Sequence, residues 1–241
     1  MHKLLKLLYQ PYKWLIYIPL FGISVIFFGL LTVIVAIFAG PKIGNYCGVL
    51  WARFNAFIIP MYVKVEGRKH VDKKQSYVIV SNHQSGVDIF VLYGWLGIDF
   101  KWIMKKELRR VIALGLACEK IGHIFIDRSS PKAAFESLKA AERILVKGTS
   151  VVVFPEGTRS RSNTMNNFKR GAFKIAFDLQ LPILPVTIVN SYAIYQGKWG
   201  LLPGKSKLIF HEPFDTKLYL DREEELINLT KSVIQSGLPT Q

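Results

Sequence analysis

Cysteine is nearly absent from this chain. Cys47 and Cys118 are the only two, each in an apolar setting and far from the other, so neither a disulfide framework nor a zinc cluster is expected. Acidic residues are also scarce, with 17 Asp and Glu against 32 Lys and Arg, a net charge of +15 with histidines neutral. Such a surface attracts anions, which leaves nucleic acid, acidic lipid and phosphorylated small molecules open as partners. The sequence has no G-x-x-x-x-G-K-[ST] loop, G-x-G-x-x-G turn, G-x-S-x-G elbow or H-E-x-x-H helix, so nucleotide hydrolysis, nicotinamide chemistry, serine hydrolysis and zinc proteolysis lack their usual signatures. No His, Cys and carboxylate set has metal-ligand spacing, and no metal or resident cofactor is expected.

Charge is missing altogether from one long run. Trp14 to Gly40 spans 27 residues without a charged side chain. As a helix it would measure roughly 40 Å at about 1.5 Å per residue, against a bilayer core about 30 Å thick. A signal-peptide apolar region is shorter, about 7 to 15 residues, so a retained membrane segment is expected. A second apolar stretch, "IGNYCGVLWARFNAFIIPMYV", follows the Gly40-Pro41 break. A hairpin of the two puts Lys3, Lys6 and Lys13 on the same, cytoplasmic, side as the basic remainder of the chain. Arg53 in mid-stretch and Lys42 at the turn make two full crossings expensive. The expectation is therefore residues 1–60 as a hairpin embedded partly in one leaflet, with both basic flanks on the cytoplasmic side. A single true span is the competing reading.

Beyond Pro60, short β-branched runs alternate with helical patterns. Strands are expected at "YVKVEG" from Tyr62, "YVIVSN" from Tyr77, "HIFIDR" from His123, "SVVVFPEG" from Ser150, "ILPVTIV" from Ile183 and "KLIFHEP" from Lys207. Helices are expected over Lys132–Lys147 (Phe135, Leu138, Ala141 and Leu145 in one stripe, opened by Pro131), over Phe168–Leu179, and over Asp221–Ile234 with Leu226, Leu229 and Val233 inward. Residues 61–241 thus read as one α/β domain, with a largely parallel mixed sheet flanked by helices.

Three of these strands end in polar clusters, and in open α/β sheets ligands bind beyond the carboxyl ends of strands. In "SNHQSGVDIF" a carboxylate at Asp88 that accepts the Nδ1 hydrogen of His83 leaves Nε2 bare as a general base. The other reading is a polar turn in which Asn82 and Asp88 cap the next helix. In "VVVFPEGTRSRS", Gly157 permits a tight turn, and Thr158 and Arg159 supply donors that grip a phosphate. A solvated basic turn, or an internal Glu156–Arg159 ion pair, fits as well. In "IFIDRSS", Arg128 with Ser129 and Ser130 reads equally as an anion site or as a helix cap.

"NHQSGVD", "FIDR", "FPEGTRS" and "LPILPV", in this order, resemble the four motifs of the glycerolipid acyltransferases, and within them the bacterial lysophosphatidic acid acyltransferases. The resemblance covers roughly Val63 to Pro213. It implies that His83 is the general base and Asp88 its orienting acid. It further implies that Arg128, Glu156, Gly157 and Arg159 hold the glycerol phosphate, with Lys105 of "MKKEL" and Lys169 of "FKRG" beside them. The implied reaction joins an acyl chain from acyl-CoA or acyl carrier protein to lysophosphatidic acid at an anionic membrane, without nucleic acid. Glycerol-3-phosphate or another lysolipid as acceptor, and a non-enzymatic lipid-binding protein, are the rival readings.

Overall fold

The computed structural model describes the chain apart from residues 1–3, 5, 6, 128, 131, 132, 134–147, 163, 198, 199, 240 and 241. The helix expected over Lys132–Lys147 therefore lies, Ala133 apart, outside the described residues, as does Arg128.

Two helices come first. Helix α1 (Gln10–Ala39) is long and apolar enough to cross a membrane by length and composition. Gly40, at φ +90°, turns the chain into α2 (Pro41–Ile58). This backbone region is open to glycine, and Pro41 then starts the second helix where its missing N–H costs nothing. The hairpin closes tightly because small residues line its seam. A Cβ on Gly44 would meet the Ala36 Cβ at 2.9 Å; further along α2, Gly48 leaves room for the Tyr93 hydroxyl of the domain.

α1 is apolar all round, yet its two faces differ. Ser24, Gly29, Thr32 and Ala36 are buried, whereas Ile23, Ile26, Phe27, Leu30, Ile34, Ile37 and Phe38 are exposed. Ser24 Oγ accepts from Trp51 Nε1 at 3.2 Å and Asn55 Nδ2 at 3.3 Å, which ties α1 to α2. The polar residues of α2 are divided: Asn45 and Asn55 are buried, whereas Lys42 and Arg53 are exposed. Arg53 Nε nevertheless donates to the Gly94 carbonyl (2.9 Å), with the guanidinium beside the Trp95 ring. Lys13, read from sequence as a basic flank, is 1% exposed and donates to the Gly197 carbonyl at 3.0 Å.

Among the described residues the domain holds seven strands, β1 (Met61–Glu66), β2 (Val78–Ser81), β3 (Phe100–Lys105), β4 (Ile124–Ile126), β5 (Ser150–Val153), β6 (Ile183–Val189) and β7 (Gly204–Phe210). Their order in the sheet is β1-β7-β6-β2-β5-β3-β4, with every pairing parallel except β6–β7. The expected mixed, largely parallel sheet is what forms. β3 is an addition that the sequence reading lacked.

Side chains alternate across the sheet. Ile79 packs with Leu92, Val152 and Leu184 on the hairpin face, while Val78 and Val80 pack with Phe173 and Leu226 on the other. Each fully buried Val, Ile or Leu contributes roughly 1.5–3 kcal/mol relative to exposure. Among the described residues, helices α3 (Asp88–Trp95), α4 (Leu114–Lys120), α5 (Gly171–Asp178) and α6 (Glu223–Ser236) flank the sheet. α6 buries Leu226, Ile227, Thr230 and Ile234. The inward stripe is thus rotated from the expected Leu226, Leu229 and Val233, of which the last two are half-buried.

Candidate active site

The sheet order sets β2, β5, β3 and β4 side by side and parallel, so their carboxyl ends share one edge. His83 follows β2, the Pro155–Arg159 turn follows β5, Lys105 ends β3, and Asp127 follows β4. Clusters separate in sequence thereby become neighbours. Arg128 succeeds Asp127 but lies outside the described residues.

His83 Nδ1 lies 2.8 Å from Asp88 Oδ2. The same oxygen accepts the backbone amides of Gln84 and Ser85, each at 2.8 Å. An ionised carboxylate only accepts, so the ring donates from Nδ1 and Nε2 is left as an acceptor. Asp88 is fully buried, whereas the His83 side chain keeps 13% exposure and remains reachable. The ring lies flat on Phe154, with centroids 3.9 Å apart and planes at 13°. Phe154 was not singled out from the sequence, although its place at the head of "FPEGTRS" is the signal that would have found it.

Asn82 does not cap α3. Its Nδ2 donates to the Ile188 carbonyl and its Oδ1 accepts the Ile188 amide, each at 2.8 Å, so the side chain extends the β2–β6 ladder by one rung. Ser85 Oγ donates to the Tyr195 carbonyl at 2.7 Å, which fixes the far end of the loop.

Glu156 is 2% exposed, and both its oxygens are occupied by backbone. Oε1 accepts the His83 amide at 2.7 Å and Oε2 the Asn166 amide at 2.8 Å. The Ser160 amide donates to the His83 carbonyl at 2.8 Å, so the backbone of His83 is clamped on both sides by the turn after β5. Burial pushes the Glu156 carboxyl up, while the amides of Asn166 and His83 pull it the other way. With both oxygens so engaged, the side chain braces the backbone of the His83 loop.

Gly157 sits at φ +73°, and a Cβ there would stand 3.0 Å from Lys169 Nζ. The Lys169 ammonium therefore lies against the turn, and its amide donates to the Pro155 carbonyl at 2.9 Å. Arg159 is exposed, with Nη1 3.8 Å from where a Gly86 Cβ would be, beside the histidine loop. Thr158 and Lys105 are exposed at the same edge. The Gly157 amide itself donates to the Phe154 carbonyl at 3.1 Å, which removes it as an oxyanion donor. Ser130 Oγ accepts the Ala133 amide at 3.1 Å, in keeping with the capping reading of "IFIDRSS".

The other histidines have different surroundings. His123, read as the start of a strand, is buried with Nε2 3.2 Å from the Tyr93 hydroxyl, which itself donates to Asn45 Oδ1 of α2 at 2.8 Å. Burial, aided by the nearby Lys101 charge, lowers its pKa to about 3. In an unfolded chain the ring titrates near ~6.5. Between those values the unfolded chain binds a proton that the folded one refuses, so stability falls as pH drops through this window, by up to about 1.4 kcal/mol per pH unit. Denaturation midpoints measured between about pH 7 and about pH 5 are expected to fall, and His123→Gln to flatten that slope.

Residues 62–189, from β1 to the end of β6, match the family model described as Acyltransferase. The chloroplastic 1-acyl-sn-glycerol-3-phosphate acyltransferase LPAT1 of Arabidopsis thaliana is 32% identical over 201 residues, 82% of this chain and 54% of that protein. The 1-acyl-sn-glycerol-3-phosphate acyltransferase alpha of Homo sapiens is 39% identical over 137 residues, 56% of this chain and 48% of that protein. The chain spans about half the length of these curated relatives. The crystal structure of the 1-acyl-sn-glycerophosphate acyltransferase PlsC from Thermotoga maritima is similar over 98% of this chain and 96% of that one, with a TM-score of 0.82 and 27% identity. Taken with the strand-edge site, these matches show that the chain belongs to the acyltransferase family.

Proposed function

We propose that this protein moves an acyl chain from a thioester, acyl-CoA or acyl carrier protein, to the 2-hydroxyl of 1-acyl-glycerol-3-phosphate, giving phosphatidic acid. The observation that carries this reading is the 2.8 Å contact of His83 Nδ1 with the buried Asp88, which leaves Nε2 as an acceptor at the reachable edge of the site. Nε2 takes the hydroxyl proton as the oxygen attacks the thioester carbonyl. The tetrahedral oxyanion then collapses, the C–S bond breaks, and the imidazolium returns the proton to the leaving thiolate. Base catalysis supplies about 10²- to 10⁴-fold, and the remainder comes from positioning. The thioester brings its own activation, so these steps draw on no metal and no resident cofactor.

Arg159, Lys169 and Lys105, with Arg128 and Thr158, are the proposed grip on the acceptor's phosphate. A charged hydrogen bond contributes about 1.5–3 kcal/mol, so Arg159→Ala is expected to raise the acceptor KM by roughly 10- to 100-fold with a smaller change in kcat. Steady-state kinetics on the purified variant check this.

The exposed apolar face of α1, together with the exposed charges of Lys42 and Arg53 on α2, supports a hairpin set in one leaflet in preference to two crossings. The proposed location is the cytoplasmic face of a bacterial inner membrane, where a basic surface meets anionic lipid. Offering lysophosphatidic acid, glycerol-3-phosphate and other lysolipids in turn, with a labelled thioester, decides the acceptor. Label entering only phosphatidic acid is the expected result. Preferential transfer to glycerol-3-phosphate would reassign the substrate, and binding without product would leave a lipid carrier.

A further inference from the structure

Between β3 and α4 the chain makes a turn that brings apolar side chains out of the domain. Ala113 sits at φ +62°, ψ −48°, a conformation that alanine rarely adopts, and the Leu114 amide donates to the Ile112 carbonyl at 2.7 Å. The turn is held by what it touches. Ala113 is buried on Gly29, midway along α1, where an added Cβ would meet the Ala113 Cβ at 2.9 Å.

The consequence is exposure on either side of that contact. Val111 is 43%, Ile112 86% and Leu116 48% exposed. Among the described residues after Pro60, the exposed large apolar side chains are Tyr62, Val111, Ile112, Leu116, Leu218 and Leu220, so half of them lie in this turn and the first turn of α4. Next to Gly29 on α1 stand Leu30 and, one turn back, Ile26, both exposed. The apolar surface of the hairpin therefore runs on into the domain. Around it the sequence from Lys105 to Lys120 carries five cations against the carboxylates of Glu107 and Glu119. Arg109 pairs with Glu119 and Lys106 with Asp127, while Lys105 and Arg110 are exposed.

We propose that the Val111–Leu116 turn is a second membrane-inserting element. It sinks Val111, Ile112 and Leu116 among the acyl chains of the leaflet that holds the hairpin, and sets Arg110 against anionic headgroups. This rests on the hairpin being embedded. Its apolar residues continue the lipid-facing surface, and its excess of cations suits an acidic bilayer better than a second copy of an equally basic chain. Because one short 3-10 helix, Lys106–Arg110, joins β3 to the turn, the insertion fixes the height of the site edge above the lipid.

The test places a nitrobenzoxadiazole dye on Ile112→Cys in the full chain, with Leu30→Cys as the hairpin control. Cys47 and Cys118 are buried and compete little for the label. On vesicles of phosphatidylcholine and phosphatidylglycerol, both dyes are expected to shift to the blue and to be quenched by acyl-chain nitroxides. If the Leu30 dye does so while the Ile112 dye stays quenchable by aqueous iodide, the turn is not inserted and the hairpin reading survives. Two aqueous dyes overturn both, and an Ile112 shift that needs a second copy or a carrier protein in place of vesicles also overturns the proposal. In parallel, Ile112→Glu is expected to lower vesicle partition roughly 10- to 100-fold, the scale for losing one buried isoleucine, while turnover of a dispersed short-chain acceptor is unchanged. Unaltered partition would count against insertion.

Discussion

Replacing His83 with alanine is expected to lower kcat for acyl transfer by about 10²- to 10⁴-fold while the acceptor KM changes little. The substitution removes the one group placed to take the hydroxyl proton, and it leaves Arg159, Lys169 and the sheet edge as they were. Stability should suffer less than activity, because the ring keeps some exposure and its loss uncovers only the Phe154 face and one oxygen of Asp88. That oxygen still holds the amides of Gln84 and Ser85. Turnover by the purified variant at the wild-type rate would remove the base from the mechanism. A raised KM at constant kcat would instead make His83 a binding residue.

Glu156→Gln is expected to cut kcat by about 10- to 100-fold with the acceptor KM nearly unchanged, and to lower the unfolding free energy by roughly 1–3 kcal/mol. Both wild-type oxygens accept backbone amides, one of them from His83 itself. An amide side chain offers one acceptor and one N–H, so whichever way it turns, two donors meet and one buried amide is stranded. The histidine backbone then loses half its clamp. Were Glu156 a ligand of the acceptor, the same change would raise KM and leave stability alone. Kinetics and a denaturation curve on one variant separate the two roles.

Much of this site was legible because its parts are local in sequence. His83 and Asp88 lie five residues apart on a strand-to-helix turn, so their pairing required only that the turn close. Glu156 illustrates the opposite case. Its residue type and motif suggested a ligand contact, but the amides it serves belong to residues 73 and 10 positions away, and such pairings appear only once β2 and β5 are neighbours. β3 went unread because "FKWIMK" has one β-branched residue and a lysine inside it. In the fold the stem of Lys101 is buried and its ammonium reaches the Ile121 carbonyl at 2.9 Å, so a residue that looks like surface belongs to the core. Arg53 shows a related limit. In sequence it is a charge that makes a full crossing costly, and the structure adds that its Nε fastens the helix to the Gly94 carbonyl.

The mechanism depends on which ring nitrogen of His83 carries the proton, and nitrogen-15 NMR of histidine-labelled protein in nanodiscs reads this directly. At mildly alkaline pH, a His83 signal with hydrogen on Nδ1 and a bare Nε2, the pattern lost in Asp88→Asn, is the expected result. Hydrogen on Nε2 with Nδ1 bare would mean that the nitrogen facing the acceptor has no capacity to take its proton, and the assignment of His83 as the base would fall.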